Sequence, residues 1–567
     1  MLVVQGCMIG GGHGGGGGKG IPGATLTSLS PTSIPAGSPP FTLTIDGTGF
    51  VAGGSLTWNG TTSLGQYTFV SSTQVTVQIN AGLIANPGSG SIVATIPTPR
   101  TNPSNALTLN ISPFASSACI LFGLYDFFFT GFDGNGPVSI GGSFGVDANG
   151  SVTGEEDFKD LAGTRIAQPI TGGACTNGPI TNEGTITITT ASGTSTYSFA
   201  TQAHPAPGVR GQITESGDAN GVSGSGRFGF APPGGFLSGD YVLALVGSNT
   251  GGGRMGVIGR VTDNNGNCAN CPGTVGSGMG DINDNGVLTT SASISGTVGV
   301  PDSYSRSTVT LNVGTQTMNL AVYVISSQVG FVVDVDSVGS SPLLAGFIGI
   351  QNSPGTYSNS FLNAPVVFST WGAIPGTPAS SDTTLGIASG FDSGTGTLDL
   401  QSDSVAGGVA SLNQTISGAA YSVASNGRAT LSYTSGANTR NFILYLDAMN
   451  DGYMVETSNN VSFGFFEAQA TGPFTESSIN GKFAGGTWFP PVAASPNNSA
   501  GLALNNGIIT GAVTGTYSVD SAGRGTASVN LPIFGSKDLV FYIVGSNNFY
   551  LMGSDGVAND TIGFLHN

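Results

Sequence analysis

The stretch Tyr517–Val544, YSVDSAGRGTASVNLPIFGSKDLVFYIV, decides the fold, because the chain contains two earlier copies of it. The copies are Tyr421–Leu446, YSVASNGRATLSYTSGANTRNFILYL, and the weaker Tyr304–Ile325, YSRSTVTLNVGTQTMNLAVYVI. Each copy has the pattern of a strand, a turn, a second strand, a short loop and a fully apolar strand. A repeated pattern of this kind predicts several similar β units in tandem.

Landmarks outside this stretch also recur and divide residues 119–567 into four units. Similar unit starts lie 116, 125 and 117 residues apart, at Gly123, Gly239, Ala364 and Gly481. Four β units are therefore predicted, the last one shortened, with the bounds 119–231, 236–351, 358–470 and 476–567. Because the four units follow one another along the chain, we expect an extended array.

Each β unit has the pattern of about eight short strands, and Asx-Gly turns between them favour tight hairpins. Successive hairpins make neighbouring strands antiparallel. The strands can close into an up-and-down barrel or stack as a two-sheet sandwich, and the sequence leaves both open. Three strands are apolar on both faces, which predicts cover by the unit's own core and by a neighbouring unit: Leu320–Ile325, Phe442–Leu446 and Leu539–Val544. The alternative is that their β-branched and aromatic residues only pack locally.

Composition narrows the functional classes. The chain has 567 residues with a net charge of −17, and its 14 Lys and Arg residues are spread thinly, so we expect no nucleic-acid partner. No run of about 18 apolar residues occurs, so we expect no transmembrane helix. No Ser, His and acid cluster is readable either. The sequence therefore predicts no enzyme activity, no catalytic residues and no cofactor.

Residues 24–112 form a separate module of short alternating strands with Pro-rich and Gly-rich turns. This module resembles the IPT/TIG family of immunoglobulin-like domains. The resemblance rests on Leu29-Ser30-Pro31, GTGF at 47–50, Trp58-Asn59-Gly60, SSTQVTV at 71–77 and Pro103-Ser104-Asn105. It implies an immunoglobulin-like sandwich that serves as a spacer or protein-interaction module at a cell surface. It implies no catalytic residues.

Residues 1–23 contain a cysteine followed by a glycine-rich coil. Val4-Gln5-Gly6-Cys7 resembles the lipobox of bacterial lipoproteins, although Gln5 is larger than usual and most of a signal peptide is missing. We expect the signal peptide to start upstream of Met1. The resemblance implies that Cys7 is lipidated, with Gly10–Gly20 as a flexible tether. The alternative is that Cys7 is an ordinary thiol.

The four β units also resemble an uncharacterised repeat in secreted proteins of acidobacteria and related soil bacteria. The resemblance rests on Asp-x-Asn-Gly turns, Gly-Glu-Glu-Asp at 154–157, Gly280-Asp281-Ile282-Asn283, and Gly-Arg-Gly-Thr at 523–526. The first unit departs from the pattern, with Glu183 in place of the arginine, and the fourth lacks the acidic turn. This resemblance implies export, and it carries no activity over to this chain.

Four further cysteines make an even number, which in an exported chain favours disulfides. The simplest pairing joins Cys119 to Cys175 and Cys268 to Cys271. A redox role for the CxxC pair is disfavoured, because no helix start follows it to lower a thiol pKa.

Two repeated polar features remain. Asp281-Ile282-Asn283-Asp284-Asn285-Gly286 matches the first half of a calcium loop, but residue 292 is Ala where the bidentate carboxylate would stand. A plain polar turn is the preferred interpretation, and no metal site is predicted. Arg306, Arg428 and Arg524 occupy equivalent turns, where we expect them to donate hydrogen bonds to turn carbonyls.

Two functions from different classes fit these observations. The first is a non-enzymatic bacterial envelope or secreted protein whose loops serve adhesion to an unknown extracellular polymer or protein. The second is small-molecule binding, with each unit a lipocalin-like or avidin-like barrel around an apolar cavity.

Overall fold

The computed structural model describes residues 23–566, apart from 98–102, 114–118, 179–182, 202–209, 219–220, 232–238, 264–271, 327, 338, 340–341, 353–355, 375–379, 436–437, 459, 488–498, 512, 532–534, 547 and 555–561. The chain is all-β, as predicted, and forms two compact parts. One is an N-terminal sandwich and the other is a block of four β units.

The N-terminal part is an immunoglobulin-like sandwich of nine described strands. They are β1 (Thr25–Ser30), β2 (Ser33–Pro35), β3 (Phe41–Thr48), β4 (Ser55–Trp58), β5 (Thr62–Gln66), β6 (Thr68–Ser71), β7 (Gln74–Ile79), β8 (Gly88–Thr95) and β9 (Leu107–Ser112), with a 3₁₀ turn at Ala81–Ile84. The sheet orders are β1-β3-β7-β6 and β2-β9-β8-β4-β5. Leu43, Ile45 and Val75 alternate with polar residues and are fully buried between the sheets.

The first β unit is a nine-stranded antiparallel sheet. Its strands are β10 (Gly123–Asp133), β11 (Gly136–Val146), β12 (Val152–Lys159), β13 (Thr164–Ile170), β14 (Cys175–Asn177), β15 (Glu183–Thr190), β16 (Gly193–Thr201), β17 (Arg210–Asp218) and β18 (Ser223–Phe230). The order is β13-β12-β11-β10-β18-β17-β16-β15-β14. Single bridges, Ser151 to Ala174 and Gly172 to Thr189, draw the two ends of the sheet together.

The second and third β units are closed barrels of eight strands in up-and-down order. The second contains β19 (Gly239–Ser248), β20 (Arg254–Asp263), β21 (Gly273–Asp284), β22 (Val287–Val298), β23 (Arg306–Val313), β24 (Gln316–Ser326), β25 (Val329–Asp334) and β26 (Leu343–Ile350). The third contains β27 (Val366–Ile374), β28 (Ser380–Asp392), β29 (Thr397–Ala406), β30 (Val409–Val423), β31 (Arg428–Ser435), β32 (Asn438–Ala448), β33 (Asp451–Glu456) and β34 (Val461–Ala468), preceded by a 3₁₀ turn at Asn359–Phe361.

The fourth β unit is also a closed eight-stranded barrel, with shorter strands. It contains β35 (Gly481–Thr487), β36 (Ser499–Asn505), β37 (Ile508–Gly511), β38 (Thr514–Val519), β39 (Arg524–Leu531), β40 (Gly535–Gly545), β41 (Asn548–Gly553) and β42 (Ile562–His566), after a 3₁₀ turn at Glu476–Ile479. Of the two architectures left open by the sequence, these three units therefore adopt the barrel.

The strands predicted to be covered on both faces are covered in this way. In β24, Leu320, Val322 and Val324 pack inside the second barrel. The intervening Ala321 and Tyr323 belong to a different cluster outside the barrel wall. Because side chains alternate between the faces of a strand, one strand joins two cores.

The outer cluster is a core shared by all four units. It contains Phe128 of the first unit, Tyr323 of the second, Trp371 of the third and Tyr542 of the fourth. The first and fourth units also contact each other, because β16 and β17 lie against β35 and β36. The expectation of an extended array is therefore wrong: the apolar outer faces of the units bury one another around a common centre.

Candidate functional site

The junctions between consecutive β units carry a repeated set of three side chains. Asp281 lies on β21 of the second unit, and Arg428 and Tyr445 lie on β31 and β32 of the third. Arg428 donates from Nε and Nη2 to the two carboxylate oxygens of Asp281, both at 2.8 Å. Tyr445 Oη donates to the same carboxylate at 2.7 Å. A bidentate pair fixes orientation as well as distance. This set is called the junction clamp below.

The other two junctions between consecutive units have the same clamp. The residues are Asp157, Arg306 and Tyr323 between the first and second units, and Asp403, Arg524 and Tyr542 between the third and fourth. The guanidinium–carboxylate bonds are 2.7 and 2.9 Å long in the first case and both 2.7 Å in the second. The tyrosine bond is 2.5 Å in both.

These contacts correct the role predicted for the repeated arginines. Their side chains donate to carboxylates of the preceding unit rather than to turn carbonyls of their own. Burial alone would lower the pKa of Arg306, but the hydrogen bond and the charge of Asp157 raise it above its usual value. Burial and the charge of Asp157 also raise the pKa of Tyr323. The arginine therefore stays charged and the tyrosine stays a hydrogen-bond donor.

A fourth donor to each clamp aspartate comes from a bulge in the next strand of its own unit. Ser291 adopts φ 53° and donates its backbone N–H to Asp281 Oδ1 at 2.9 Å. Ala167 and Asn413 adopt φ 47° and 51°, and they serve the other two clamps at 2.8 and 2.7 Å. Each carboxylate thus accepts four hydrogen bonds, which is its full capacity.

The resemblance of residues 281–286 to a calcium loop is explained by other contacts. Asp281 is filled by the clamp, Asn283 donates to the Glu456 carbonyl, and Asp284 accepts from Asn249. Within the described residues, no three His, Cys, Asp or Glu side chains are arranged to hold a metal ion. The acidic motif therefore serves the junction.

A second contact at each junction differs in chemistry. It is made by the residue two positions after the clamp aspartate. Lys159 forms a buried ion pair with Asp334 and donates to the Pro342 carbonyl. Asn283 donates its amide to the Glu456 carbonyl at 2.6 Å, whereas Val405 joins the shared apolar core. The clamp is common to the junctions, and this second position distinguishes one junction from another.

The end units lack opposite halves of the clamp. In the first unit, Glu183 and Ala200 are paired across β15 and β16, as Arg306 and Tyr323 are across β23 and β24. In the fourth unit the third strand is only Ile508–Gly511 and carries no acidic residue. The clamp therefore joins consecutive units and stops at both ends.

A polar cluster also lies where the first, third and fourth units meet. Burial raises the pKa of Asp451 to about 9, with the charges of Asp447 and Glu467 adding to it. Burial raises the pKa of Asp447 to about 7. Arg227 of the first unit is close enough to oppose the rise in the pKa of Tyr550 in the fourth unit, which burial causes. This point of the common centre thus contains buried carboxyl groups of the third unit and an arginine of the first.

Two of the five cysteines, Cys119 and Cys175, lie within the described residues. Cys119 and Cys175 are joined by a disulfide with a Cα–Cα distance of 5.7 Å, and both are buried in the first unit. Cys7, Cys268 and Cys271 lie outside the described residues. The lipid anchor at Cys7 and the pairing of Cys268 with Cys271 therefore stay predictions.

The interior of the third barrel contains an apolar cavity of about 30 Å³. Phe368, Leu400 and Leu444 are among its lining residues. A cavity of this volume is about the size of one water molecule. Small-molecule pockets are much larger, with volumes of roughly 300–1,000 Å³. The geometry of this barrel does not support binding of a small molecule in its interior.

Fold and junctions together define an all-β multidomain protein with an immunoglobulin-like domain and tandem β-barrels. Residues 24–111 match the family model of the IPT/TIG domain, which is typically a non-catalytic interaction module. No curated protein matches the chain. In the part of the chain that the structure describes, no helix has the length and hydrophobicity needed to cross a membrane.

Proposed function

We propose that this protein is a non-enzymatic bacterial surface or secreted protein that presents its loops for adhesion to an extracellular polymer or protein. The observation that carries the proposal is the set of three junction clamps, which holds the units in one fixed arrangement. Loops on a rigid scaffold lose little conformational entropy when they bind.

An extracellular location is supported by two independent features. The Cys119–Cys175 disulfide suits an oxidising compartment, because cytosolic thiols are kept reduced. The IPT/TIG domain is common in extracellular proteins and suits a spacer or contact module. In this proposal Cys7 carries the lipid anchor, and the glycine-rich segment after it holds the folded parts away from the membrane.

The first test compares wild type with Cys7→Ala, both expressed from the gene with its upstream DNA. We expect lipid labelling and protease access on whole cells for the wild type, and release of Cys7→Ala into the medium. Unlabelled wild type inside the cell would contradict the surface location.

The second test addresses adhesion. Beads coated with purified protein are offered to an array of extracellular polysaccharides and to cells of the same species, with serum albumin beads as the control. Attachment to one class, abolished by soluble protein, is the expected result. No attachment above the control on any surface would contradict adhesion, whatever the outcome of the lipidation test.

A further inference from the structure

The junction of the first and second units contains a buried carboxyl whose hydrogen bonds require a proton. Asp126 is fully buried on β10, and its Oδ1 lies 2.5 Å from Ser143 Oγ on β11. The same Ser143 Oγ lies 2.6 Å from the backbone carbonyl of Tyr304, which belongs to the second unit. Ser143 is therefore a bridge between Asp126 and the neighbouring unit.

The number of protons at this bridge decides the state of Asp126. A serine hydroxyl has one proton to donate, and a carbonyl oxygen can only accept. The Ser143 proton therefore goes to the Tyr304 carbonyl, and the short contact with Asp126 needs a proton from the carboxyl. The other oxygen, Asp126 Oδ2, is buried without a hydrogen-bond partner in the described residues. A buried charge with so little compensation is costly, whereas a neutral acid is not.

The second unit covers the sheet beside Asp126. Gly229 on β18 is paired with Asp126 on the neighbouring strand β10. A Cβ added to Gly229 would lie 2.9 Å from a methyl group of Ile325 in the second unit. The second unit thus covers this part of the first with an apolar side chain, and the cover exists only while the two units are docked.

Two further carboxyl groups lie opposite each other at the same junction. Glu155 of the first unit lies close enough to Asp302 of the second for Asp302 to raise the pKa of Glu155, in addition to the larger effect of burial. Asp302 also accepts the backbone N–H groups of Tyr304 and Arg306 at 2.9 and 3.1 Å. It therefore shapes the turn that positions both the Tyr304 carbonyl and the clamp arginine.

We propose that docking of the first β unit on the second is a proton-dependent contact, closed while Asp126 holds a proton and weakened when that proton leaves. The charged groups that face Asp126 and Glu155 are Asp157, Asp302 and Arg306. Two titratable tyrosines, Tyr304 and Tyr323, also lie near Glu155. Carboxyl groups outnumber the one arginine, so each lost proton adds repulsion across the junction.

The sign and the pH range follow from the two carboxyls. Burial raises the pKa of Asp126 to about 8, and burial with Asp302 raises that of Glu155 to about 8. When the units separate, exposed carboxyls return to pKa values of about 4. Docking is thus strongest below about pH 4 and weakens as pH rises to about 8. Asp126 alone weakens it up to about tenfold per pH unit.

The test compares the full chain with Asp126→Asn, which keeps the shape and the donor to Ser143 but cannot titrate. An exposed aspartate of the fourth barrel supplies the control variant, Asp538→Asn. Hydrogen exchange of peptides 123–133 and 302–313, corrected for intrinsic rates, is measured at pH 6 and pH 8.5. We expect the protection factors of wild type and Asp538→Asn to fall between pH 6 and pH 8.5. For each pH unit, the protection factors of Asp126→Asn should fall by a factor about tenfold smaller. Equal losses in all three proteins would overturn the proposal.

Infrared difference spectra supply a readout that a structural role would not change. The difference between wild type and Asp126→Asn at pH 7 is expected to contain one protonated carboxylic acid band, which the difference between wild type and Asp538→Asn lacks. Protonated Glu155 and Asp451 are common to all three proteins and cancel in both differences. If Asp126→Asn does not fold, Ser143→Ala replaces it, because loss of the acceptor shifts the frequency of this band. Spectra with no protonated acid at pH 7, or unchanged in both variants, would refute the proposal without bearing on adhesion.

Discussion

Removing one partner from the central clamp is expected to destabilise the junction strongly. In Asp281→Asn, the amide nitrogen would face donors, and Arg428 would lose its counter-charge while 19% of its side chain is exposed. Breaking one half of a buried ion pair costs about 3–5 kcal/mol. Because Arg428 keeps some access to water, we expect a loss near 3 kcal/mol.

A double substitution separates the worth of the pair from the cost of leaving one charge unpaired. Asp281→Leu with Arg428→Met removes both charges, and replacement of a buried pair by apolar residues is often close to neutral. We therefore expect the double variant to lose less than either single variant. The control is Asp240→Asn, which breaks a half-buried pair with Arg260 that keeps access to water, and it should cost at most about 1 kcal/mol.

The assay has to resolve a single junction, because unfolding of a chain with several units is not a two-state reaction. Native-state hydrogen exchange of strand β31 reports the free energy of opening next to Arg428. Losses that simply add in the double variant would show that the two residues act independently. That result would refute the clamp as an energetic unit.

Three other substitutions or treatments probe the remaining parts of the fold. Phe128→Ala removes the first unit's contribution to the shared core and should cost about 3–5 kcal/mol, measured by hydrogen exchange of β10. Reduction of the Cys119–Cys175 disulfide, which spans 56 residues, should destabilise the first unit by about 4 kcal/mol in a calorimetric scan. Gly90→Ala places a Cβ 2.0 Å from the Trp58 ring and should lower the free energy of unfolding of the N-terminal sandwich by about 1–3 kcal/mol, measured by urea denaturation.

The strands and their repetition could be predicted from the sequence because both are local properties. Alternating apolar residues and Asx-Gly turns act within a few positions, and copies such as Tyr421–Leu446 and Tyr517–Val544 reinforce each other. Barrel closure could not be predicted, because it depends on pairing between the first and last strands of a unit, more than 80 residues apart. Hairpin signals are the same in a barrel and in a sandwich.

The sequence does not predict the clamp, although it shows the parts of the clamp separately. Arg428 and Asp281 are 147 residues apart, so no local pattern connects them. The two end units, which depart from the repeat, nevertheless indicate how the motifs pair. The first unit lacks the arginine, with Glu183 in its place, and the fourth lacks the acidic turn. Complementary gaps at opposite ends of a repeat array indicate that the two motifs pair between neighbours and not within a unit.

These complementary gaps also bear on why the block contains four units. An interface that joins unit to unit in head-to-tail fashion can continue from one chain to the next and form a filament unless its ends are blocked. Here the first unit offers an aspartate forward to Arg306 but has Glu183 where a preceding chain would need arginine. The fourth unit receives the clamp through Arg524 but offers no aspartate onward. The clamp therefore cannot join one chain to another. Strands β16 and β17 of the first unit contact β35 and β36 of the fourth instead, and both units contribute side chains to the shared core, such as Phe128 and Tyr542.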